Sequence, residues 1–489
     1  MADTDFNDLA KRAGKGAVAE QLSRAKAVDA SAAAARPAPV MDLGEARARK
    51  RKAAPVAVDE THHDLALGWC ASRAIGDAQP VYSNGAYYVP TAGGLWVRLS
   101  HEQVQVQVAR EFNGRKLCRK NSDFKQIADH IAALCEDEAF FDSAQLGVAT
   151  PAGFSTIGEG GSVETEPLSL DHRQTFALDF QPEYEADAPL TDALLADAFE
   201  GDDAEAQIDL WWQCVGAALL GLMPRLQLVL LLLGRERSGK SVLQRLLERL
   251  FPPEAVGAVS PASWGHEYHV AALAGKRLNV VGELSDDAPI PAAAFKNVTG
   301  QNLVAGRHPT HRPFSFRCMA AHVFASNVLV PTTDRSEAFY RRWRVLRFTN
   351  TVPAHKVDPD LCEKIVRTEM PAILAMAFLG AQRVARAGAV RTTAAHEAVM
   401  ARWRLAANPL QQFLADAEWV ELDPSYKLHT PATVYEAYRR WSAAAGFRNP
   451  FGRNHFLELL ESTGATRGVL IKRIESRTVV VGMRLCQVA

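Results

Sequence analysis

The sequence has few cysteines and no excess of charge of either sign. Its 489 residues include 7 cysteines, no two of which stand at C-x-x-C spacing. An odd, scattered set argues against a structural zinc site and a disulfide framework and fits a reducing cytosol. Because 55 basic residues face 56 acidic ones, any surface for nucleic acid must be local.

An unbroken apolar run long enough to cross a membrane is also missing. The most apolar stretch, 215–234, is interrupted by Pro224, Arg225 and Gln227, so we expect a buried strand there. The N-terminus carries aspartates and no apolar segment, which argues against a secretory signal. We therefore expect no membrane partner and a cytoplasmic location, in a bacterial host. With 48% hydrophobic residues, the chain can build a sizeable core.

Composition divides the first third of the chain into two regions. Residues 1–58 are rich in alanine and charge, which predicts a disordered basic arm that cannot fold alone. In residues 59–150, helical periodicity at 101–112 and 124–135 accompanies a strand-like segment at 86–89. This pattern predicts a small α/β N-terminal domain.

The middle of the chain changes from acidic and helical to alternating strands and helices. Between residues 178 and 210 there are eleven acidic residues and no Lys or Arg, and an apolar helical pattern follows. From about 226 to 350, apolar strands alternate with short helical patterns and turn residues. That alternation predicts an α/β fold with a parallel sheet.

A phosphate-binding motif lies where the first of these strands ends. It consists of Gly234, Arg235, Glu236, Arg237, Ser238, Gly239, Lys240 and Ser241. This is G-x-x-x-x-G-K-S with an apolar strand before it and a helical pattern after it. Its backbone N–H groups can surround a phosphate, while Lys240 reaches the β and γ phosphates and Ser241 binds Mg²⁺. The sequence therefore predicts ATP and Mg²⁺ as cofactors.

Polar residues end the next two predicted strands. Glu283 follows the apolar segment 277–282, where hydrolysis of a phosphoanhydride needs a group that polarises the attacking water; a solvated acid is the alternative. Asn327 ends the segment 321–326 and can bind that water or the γ-phosphate; a turn-forming asparagine is the alternative. Arg341 and Arg342 point to different sides, so one of them can reach a neighbouring subunit's phosphate.

Together these elements resemble the superfamily 3 helicases, in particular the phage and plasmid primase-helicase family with its poxvirus-like ATPase. The resemblance covers roughly residues 150–480 and includes Leu273-Ala274-Gly275-Lys276-Arg277-Leu278 and Lys296-Asn297-Val298-Thr299-Gly300. It implies an AAA+ fold, a hexameric ring and translocation on DNA driven by ATP.

The resemblance also implies residue roles and domains. Lys240 and Ser241 form the Walker A pair, and Glu283 is the Walker B acid that also binds Mg²⁺. Asn327 is the sensor, and Arg341 or Arg342 is the arginine finger. Lys296 is an additional basic residue near the phosphates. The implied domains are a helical collar for oligomerisation (151–225), the ATPase domain (226–360), a helical connector (361–407) and a winged-helix domain (408–489).

Two regions are candidates for contact with DNA. A predicted β-hairpin between 303 and 316 has a basic tip, which in the similar helicases projects into the ring's channel; a surface hairpin with incidental charge is the alternative. In the C-terminal unit, helices at 431–445 and 453–462 precede strands at 468–474 and 477–485, an arrangement that resembles a winged helix. From Lys427 to Ala489 there are ten Lys or Arg and four Glu, which favours phosphate contact, although such domains also bind proteins. The candidate DNA-binding residues are Arg307, His308, His311, Arg312, Arg453, Asn454 and His455.

We expect a replicative DNA helicase of a phage, plasmid or other mobile element, with single-stranded DNA in the channel and duplex at the winged helix. An origin-binding initiator, whose ATPase is a switch that loads another helicase, is the alternative. A DNA-packaging ATPase is disfavoured because no nuclease-type acidic cluster is found. Residues 59–150 are short for a primase and show no convincing metal-binding carboxylate pair, so a primase would be a separate partner.

Overall fold

A computed structural model describes the chain from Glu60 to Cys486, apart from a few short gaps. The described residues are 60–285, 288–309, 312–332, 334–353, 355, 357–427, 429–447, 450–465 and 467–486. The arm expected over 1–58 and the candidate His311 lie outside them. Thr61–Ala489 group into one compact unit.

An antiparallel sheet with helices against it follows the arm. Its elements are α1 (His62–Ala71), β1 (Val81–Ser83), β2 (Ala86–Pro90), β3 (Trp96–Leu99), α2 (His101–Phe112) and α3 (Asn121–Leu134). In the sheet β2 lies between β1 and β3. Leu65, Val104 and Ile127 of the helices pack with Tyr87 of β2 in one buried cluster. The helices and the strand predicted for this region are confirmed.

A second antiparallel sheet leads into a helical segment. The elements are β4 (Val148–Thr150), β5 (Gly153–Ile157), β6 (Val163–Glu166), α4 (Pro189–Ala198), α5 (Ala204–Leu219) and α6 (Leu222–Arg225). The single buried strand expected over 215–234 is wrong for most of that stretch, because α5 and α6 occupy its first part. Gly221, between α5 and α6, adopts φ +74°, and Gln227, between α6 and the strand that follows, adopts φ +59°, so a left-handed residue stands at each boundary.

The described ranges contain no helix with the length and apolar composition of a membrane-spanning segment.

At the centre of the described residues lies a parallel sheet of five strands in the order β13-β7-β12-β9-β8. The elements here are β7 (Val229–Gly234), α7 (Lys240–Arg249), β8 (Val256–Gly257), α8 (Glu267–Ala271), β9 (Leu278–Val281), α9 (Ala292–Thr299), β10 (Leu303–Gly306), β11 (Phe314–Arg317), β12 (Ala321–Ser326), α10 (Glu337–Tyr340) and β13 (Trp343–Phe348). Leu231 of β7 lies opposite Phe324 on one side and Val345 on the other. The mixed α/β class and the parallel sheet are confirmed.

Both faces of this sheet are covered by helices. The helices after β13 are α11 (Leu361–Thr368), α12 (Met370–Ala387) and α13 (Ala394–Ala406). Alternate residues of β7 point to opposite faces, so Leu230 and Leu232 join one core with α5 and α12, while Leu231 joins another with α9 and α13. α5 and α12 cross closely, since a Cβ at Gly380 would lie 2.1 Å from the Trp212 carbonyl oxygen. The segments expected as collar and connector thus share a core with the sheet.

The C-terminal elements build a core of their own. They are α14 (Pro409–Ala415), β14 (Val420–Glu421), α15 (Pro431–Ala444), α16 (Arg453–Ala465), β15 (Leu470–Ile474), β16 (Arg477–Val481) and β17 (Arg484–Leu485). β15 and β16 form a hairpin that turns at Glu475. The order of two helices and a β-hairpin predicted for this region is confirmed.

Two buried histidines make the fold sensitive to acid. Burial lowers the pKa of His322 to about 3 and that of His396 to about 4. The Nδ1 atom of His396 accepts a hydrogen bond from the Val345 N–H. A proton on Nδ1 would turn this acceptor into a second donor facing the Val345 N–H, so the hydrogen bond would be lost. In an unfolded chain both imidazoles titrate near pH 6.5.

The free energy of unfolding is therefore expected to be highest above about pH 6.5 and to decline as the pH falls towards 4. As the pH falls, the unfolded chain binds protons on these histidines before the folded chain does. Each histidine should therefore lower the free energy of unfolding at pH 5 by roughly 2 kcal/mol relative to its value above pH 6.5. Urea unfolding at pH 7 and pH 5 measures the difference. The variant His396→Gln keeps an acceptor for Val345 and should lose about half of the pH dependence; an unchanged dependence would contradict this assignment.

Candidate nucleotide site

The strand order brings the candidate residues of three strands to one edge. β12 lies between β7 and β9, and all three run parallel. Their carboxyl ends therefore point to the same side of the sheet. Gly234 ends β7, Asn327 follows β12, and Glu283 follows β9 after Gly282.

The loop from Gly234 to Gly239 connects β7 to α7. Gly239 adopts φ +90° and stands at the N-cap of α7 without a side-chain cap. A side chain at this φ would be strained, which explains the glycine. The first-turn N–H groups of α7 lack intrahelical partners and, with the positive end of the helix dipole, favour an anion.

Lys240 is buried beneath this loop. Its Nζ atom donates to the carbonyl oxygens of Gly234 (2.5 Å) and Arg235 (2.6 Å). The hydroxyl of Ser238 donates to the Arg235 carbonyl at 2.8 Å and fixes the same turn. Burial lowers the pKa of Lys240, and the carboxylates of Glu283 and Glu236 oppose that shift.

A chain of hydrogen bonds joins Lys240 to the predicted catalytic acid. Lys240 Nζ donates to Asn327 Oδ1 at 3.1 Å, and Asn327 Nδ2 donates to Glu283 Oε1 at 2.8 Å. Asn327 thus lies between a buried cation and an exposed carboxylate. Three residues taken from separate strand ends meet here, as their positions after the strands predict.

A cavity of about 550 Å³ opens at this edge, a size that suits a nucleotide. Lys240, Ser241, Glu283 and Asn327 line it together with Glu236, Arg237, Ser238 and Gly239. Gly234 and Arg235 contribute through the carbonyls that hold Lys240.

One wall of the cavity is apolar and was not predicted. It is formed by Leu190, Leu194 and Ala198 of α4 and by Val352, Val357 and Leu361. The amphipathic pattern of α4 indicates that one face is buried but not which segment packs against it, so this contact could not be predicted. Such a wall suits the flat, apolar face of a base.

The donors present fit a magnesium ion held jointly with phosphate. The Ser241 hydroxyl and the Glu283 carboxylate both line the cavity. The described residues include no group of three His, Cys, Asp or Glu arranged to hold a metal. Mg²⁺ ordinarily takes one or two protein oxygens and completes its shell with phosphate oxygens and water, so one hydroxyl and one carboxylate are adequate.

The two candidate fingers differ in exposure. Arg342 is buried; its guanidinium donates to the Ala338 carbonyl and to Gln227 Oε1. Arg341 is exposed and donates to the same Gln227 oxygen at 2.7 Å. Gln227 precedes β7, so both arginines lie at the edge of the sheet opposite the cavity. Of the two, only Arg341 is exposed for contact with a neighbouring molecule.

Lys296, expected near the phosphates, does not line the cavity of its own chain. Its Nζ lies 2.9 Å from Asp334 Oδ2. Burial alone would raise the pKa of Asp334, but hydrogen bonds from Lys296 and Ser336 outweigh it and the pKa is lowered. The charge of Asp334 also acts on Arg342. Through Asp334, Lys296 therefore interacts with the group that includes Arg342, and it is not part of the cavity that contains Lys240.

The predicted hairpin is present as antiparallel β10 and β11. Arg307 and His308 follow β10, Arg312 precedes β11 and is exposed, and the His308 ring stacks on Phe314. Residues 310 and 311 of the tip, and with them the candidate His311, lie outside the described residues.

The C-terminal candidates share the first turn of α16. Arg453, Asn454 and His455 are exposed there, and His455 Nδ1 lies 3.7 Å from a Glu458 oxygen. The hairpin of β15 and β16 adds exposed Lys472 and Arg473, two cations that are not among the predicted DNA-binding residues.

The comparisons with known proteins identify no function. Residues 232–342 match the model of a family of unknown function, DUF5906. No curated protein matches the chain. The chain resembles solved structures of the NrS-1 C-terminal region: an A form apo structure at TM-score 0.45 and 11% identity, covering 86% of this chain and 99% of that one, and an apo structure of residues 305–718 at TM-score 0.46 and 11% identity, covering 87% and 99%.

Proposed function

We propose that the chain is an ATP-dependent DNA helicase that hydrolyses ATP in the cavity at the carboxyl edge of the central sheet. The observation that carries this proposal is the hydrogen-bonded series Lys240, Asn327 and Glu283 beneath a glycine loop at a helix N-terminus. That set supplies a cation for the β and γ phosphates, an amide for the γ-phosphate or the attacking water, and a carboxylate to polarise that water.

In this proposal each side chain has a separate task. The apolar wall from α4 holds the base, the α7 N-terminus and Lys240 hold the phosphates, and Ser241 and Glu283 hold Mg²⁺, which neutralises phosphate charge when bound. Glu283 takes a proton from a water molecule as the water oxygen bonds to the γ-phosphorus, while the bond between that phosphorus and the β–γ bridging oxygen breaks and ADP leaves. Asn327 is hydrogen-bonded to both Lys240 and Glu283 and fixes the positions of these two side chains relative to each other.

The proposed assembly is an AAA+ homo-hexamer. Arg341 lies at the edge opposite the cavity, and a head-to-tail ring brings opposite surfaces of neighbouring subunits together. Arg341 would then meet the phosphates bound by the next subunit. The β10–β11 hairpin would contact single-stranded DNA in the channel, and α16 with the β15–β16 hairpin would act as a winged helix on duplex DNA. A primase would be a separate partner.

Phosphate release by the full chain, with Mg²⁺ and with or without single-stranded DNA, tests the enzymatic part. We expect hydrolysis that requires Mg²⁺ and rises when DNA is added. An absence of hydrolysis under both conditions would contradict the proposal.

Replacement of Arg453 by alanine is expected to weaken binding to duplex DNA. The side chain is exposed at the start of α16, where a recognition helix meets the groove; a lost base-edge contact should cost roughly 1–3 kcal/mol of binding free energy. Fluorescence anisotropy with a labelled duplex at several salt concentrations measures this. Arg402→Ala, which removes an exposed arginine from α13, is the matched control. Equal affinity of the two variants would favour a protein-contact role for α16.

A further inference from the structure

A small basic cleft lies between the β1–β3 sheet and the central sheet, away from the nucleotide cavity. Its volume is about 90 Å³, and its lining includes Arg173, Lys276, Arg277 and Arg317. Arg98 of β3 lies beside it, because a Cβ on the lining residue Gly275 would be 3.5 Å from Arg98 Nε. This cluster could not be predicted from the sequence, because its members come from distant parts of the chain.

The cations of this cleft have little negative charge opposite them. Arg317 Nε lies 3.8 Å from Asp142 Oδ2. The other cations donate hydrogen bonds to uncharged groups: Lys276 to the Glu254 carbonyl, Arg277 to the Gly147 carbonyl, and Arg173 to the Phe140 carbonyl and the Ser143 hydroxyl. Cations that outnumber the acidic groups beside them repel one another, and a bound anion relieves that repulsion.

Two guanidinium atoms in the cluster are buried without a hydrogen-bond partner among the described residues. They are Arg98 Nε and Arg277 Nε. A buried donor that makes no hydrogen bond is costly, and in native structures such groups point to an unseen partner. Burial also lowers the pKa of Lys276, and the charge of Arg98 adds to that shift while Glu254 opposes it.

We propose that this cleft binds a single phosphate group. The volume of about 90 Å³ corresponds to roughly three water molecules, which admits a phosphate but excludes a base and sugar. Arginine is the side chain best suited to phosphate oxygens. The group can come from the backbone of a DNA strand or from free phosphate.

The position of the cleft favours a DNA strand as the source. Arg317 belongs to β11, the second strand of the hairpin that the proposed function places against DNA. The same strand contacts the N-terminal sheet, since a Cβ at Gly85 would lie 2.9 Å from Phe314 Cδ1. A strand held at the hairpin could therefore place a phosphate in the cleft. This part rests on the proposed function, whereas binding of free phosphate does not.

The test compares the double variant Arg98→Ala/Lys276→Ala with a matched control, Arg110→Ala/Lys125→Ala. The control removes two exposed basic residues from α2 and α3. Arg277 is left intact because it also joins Gly147 to the central sheet. For each full-length protein, the thermal midpoint is measured in inorganic phosphate and in chloride of equal ionic strength. Affinity for labelled oligothymidylate is measured against salt, and ATPase activity is measured without DNA.

We expect phosphate to raise the midpoint of the double variant less than those of wild type and control, because the loop at the α7 N-terminus can bind phosphate equally in all three proteins. If a DNA phosphate occupies the cleft, the double variant should also bind oligothymidylate roughly tenfold more weakly, with a salt slope smaller by about 1 to 2. Reduced stabilisation by phosphate with unchanged DNA affinity would assign the cleft to free phosphate. If both measurements match those of the control, the proposal is overturned. ATPase activity without DNA should be retained in either case, which separates this outcome from failure of the proposed function.

Discussion

Replacement of Lys240 by alanine is expected to abolish ATP hydrolysis. The Nζ atom is buried under the loop, and it is the cation that touches both the loop carbonyls and Asn327. Without it, the charge that develops on the γ-phosphate in the transition state is not neutralised from this side. Loss of one preorganised electrostatic group of this kind costs roughly 10²–10³-fold in rate or more.

Phosphate release at saturating ATP measures this effect. Lys125→Ala, which removes an exposed lysine from α3, should hydrolyse ATP like the wild type. Thermal unfolding of Lys240→Ala shows whether the fold is retained. A folded Lys240→Ala protein with near-normal turnover would remove this cavity from the reaction.

Two inactive variants are expected to restore each other's activity. Arg341→Ala should bind ATP but hydrolyse it poorly, because the neighbouring site loses its finger; such a finger is worth roughly 10³–10⁵-fold in rate. The Lys240→Ala subunit retains Arg341, but its own ATP site is inactive. In randomly mixed rings, roughly a quarter of the interfaces pair an intact Lys240 with an intact Arg341. Mixing should therefore restore about a quarter of the wild-type rate.

The experiment requires that subunits exchange, which mass measurement on tagged chains establishes. Arg342→Ala serves as the comparison, because Arg342 is buried against Ala338 and Gln227 and is expected to act within its own subunit. Rings that mix but stay inactive would contradict a finger supplied by Arg341. Restoration by Arg342→Ala and not by Arg341→Ala would assign the finger to Arg342.

The arrangement of the candidate site at the carboxyl edge of the sheet could be predicted because its residues follow strand ends. A glycine loop after β7, a carboxylate after β9 and an asparagine after β12 each follow an apolar segment. Parallel strands bring such positions together whatever the helices do. Local periodicity was likewise sufficient for α2 and for the helices and hairpin of the C-terminal unit.

Contacts between distant segments could not be predicted in this way. The wall that α4 gives to the cavity, the burial of Arg342 and the pairing of Lys296 with Asp334 depend on tertiary packing. The prediction for the stretch 215–234 was wrong over its first part because a buried helix and a buried strand are both apolar. In short runs, periodicity does not distinguish one from the other. The left-handed residues Gly221 and Gln227 divide it.

We propose that ATP hydrolysis beside Glu283 drives the separation of DNA strands. The most direct test is strand displacement on forked DNA of both polarities by wild type and by Glu283→Gln. The glutamine keeps an acceptor oxygen for Asn327 but cannot take a proton from water, so this variant should bind ATP and fail to turn it over. We predict displacement of one polarity by the wild type and none by Glu283→Gln. Hydrolysis by the wild type without displacement would contradict the helicase and favour an initiator that uses ATP as a switch; displacement by Glu283→Gln would contradict the assigned catalytic site.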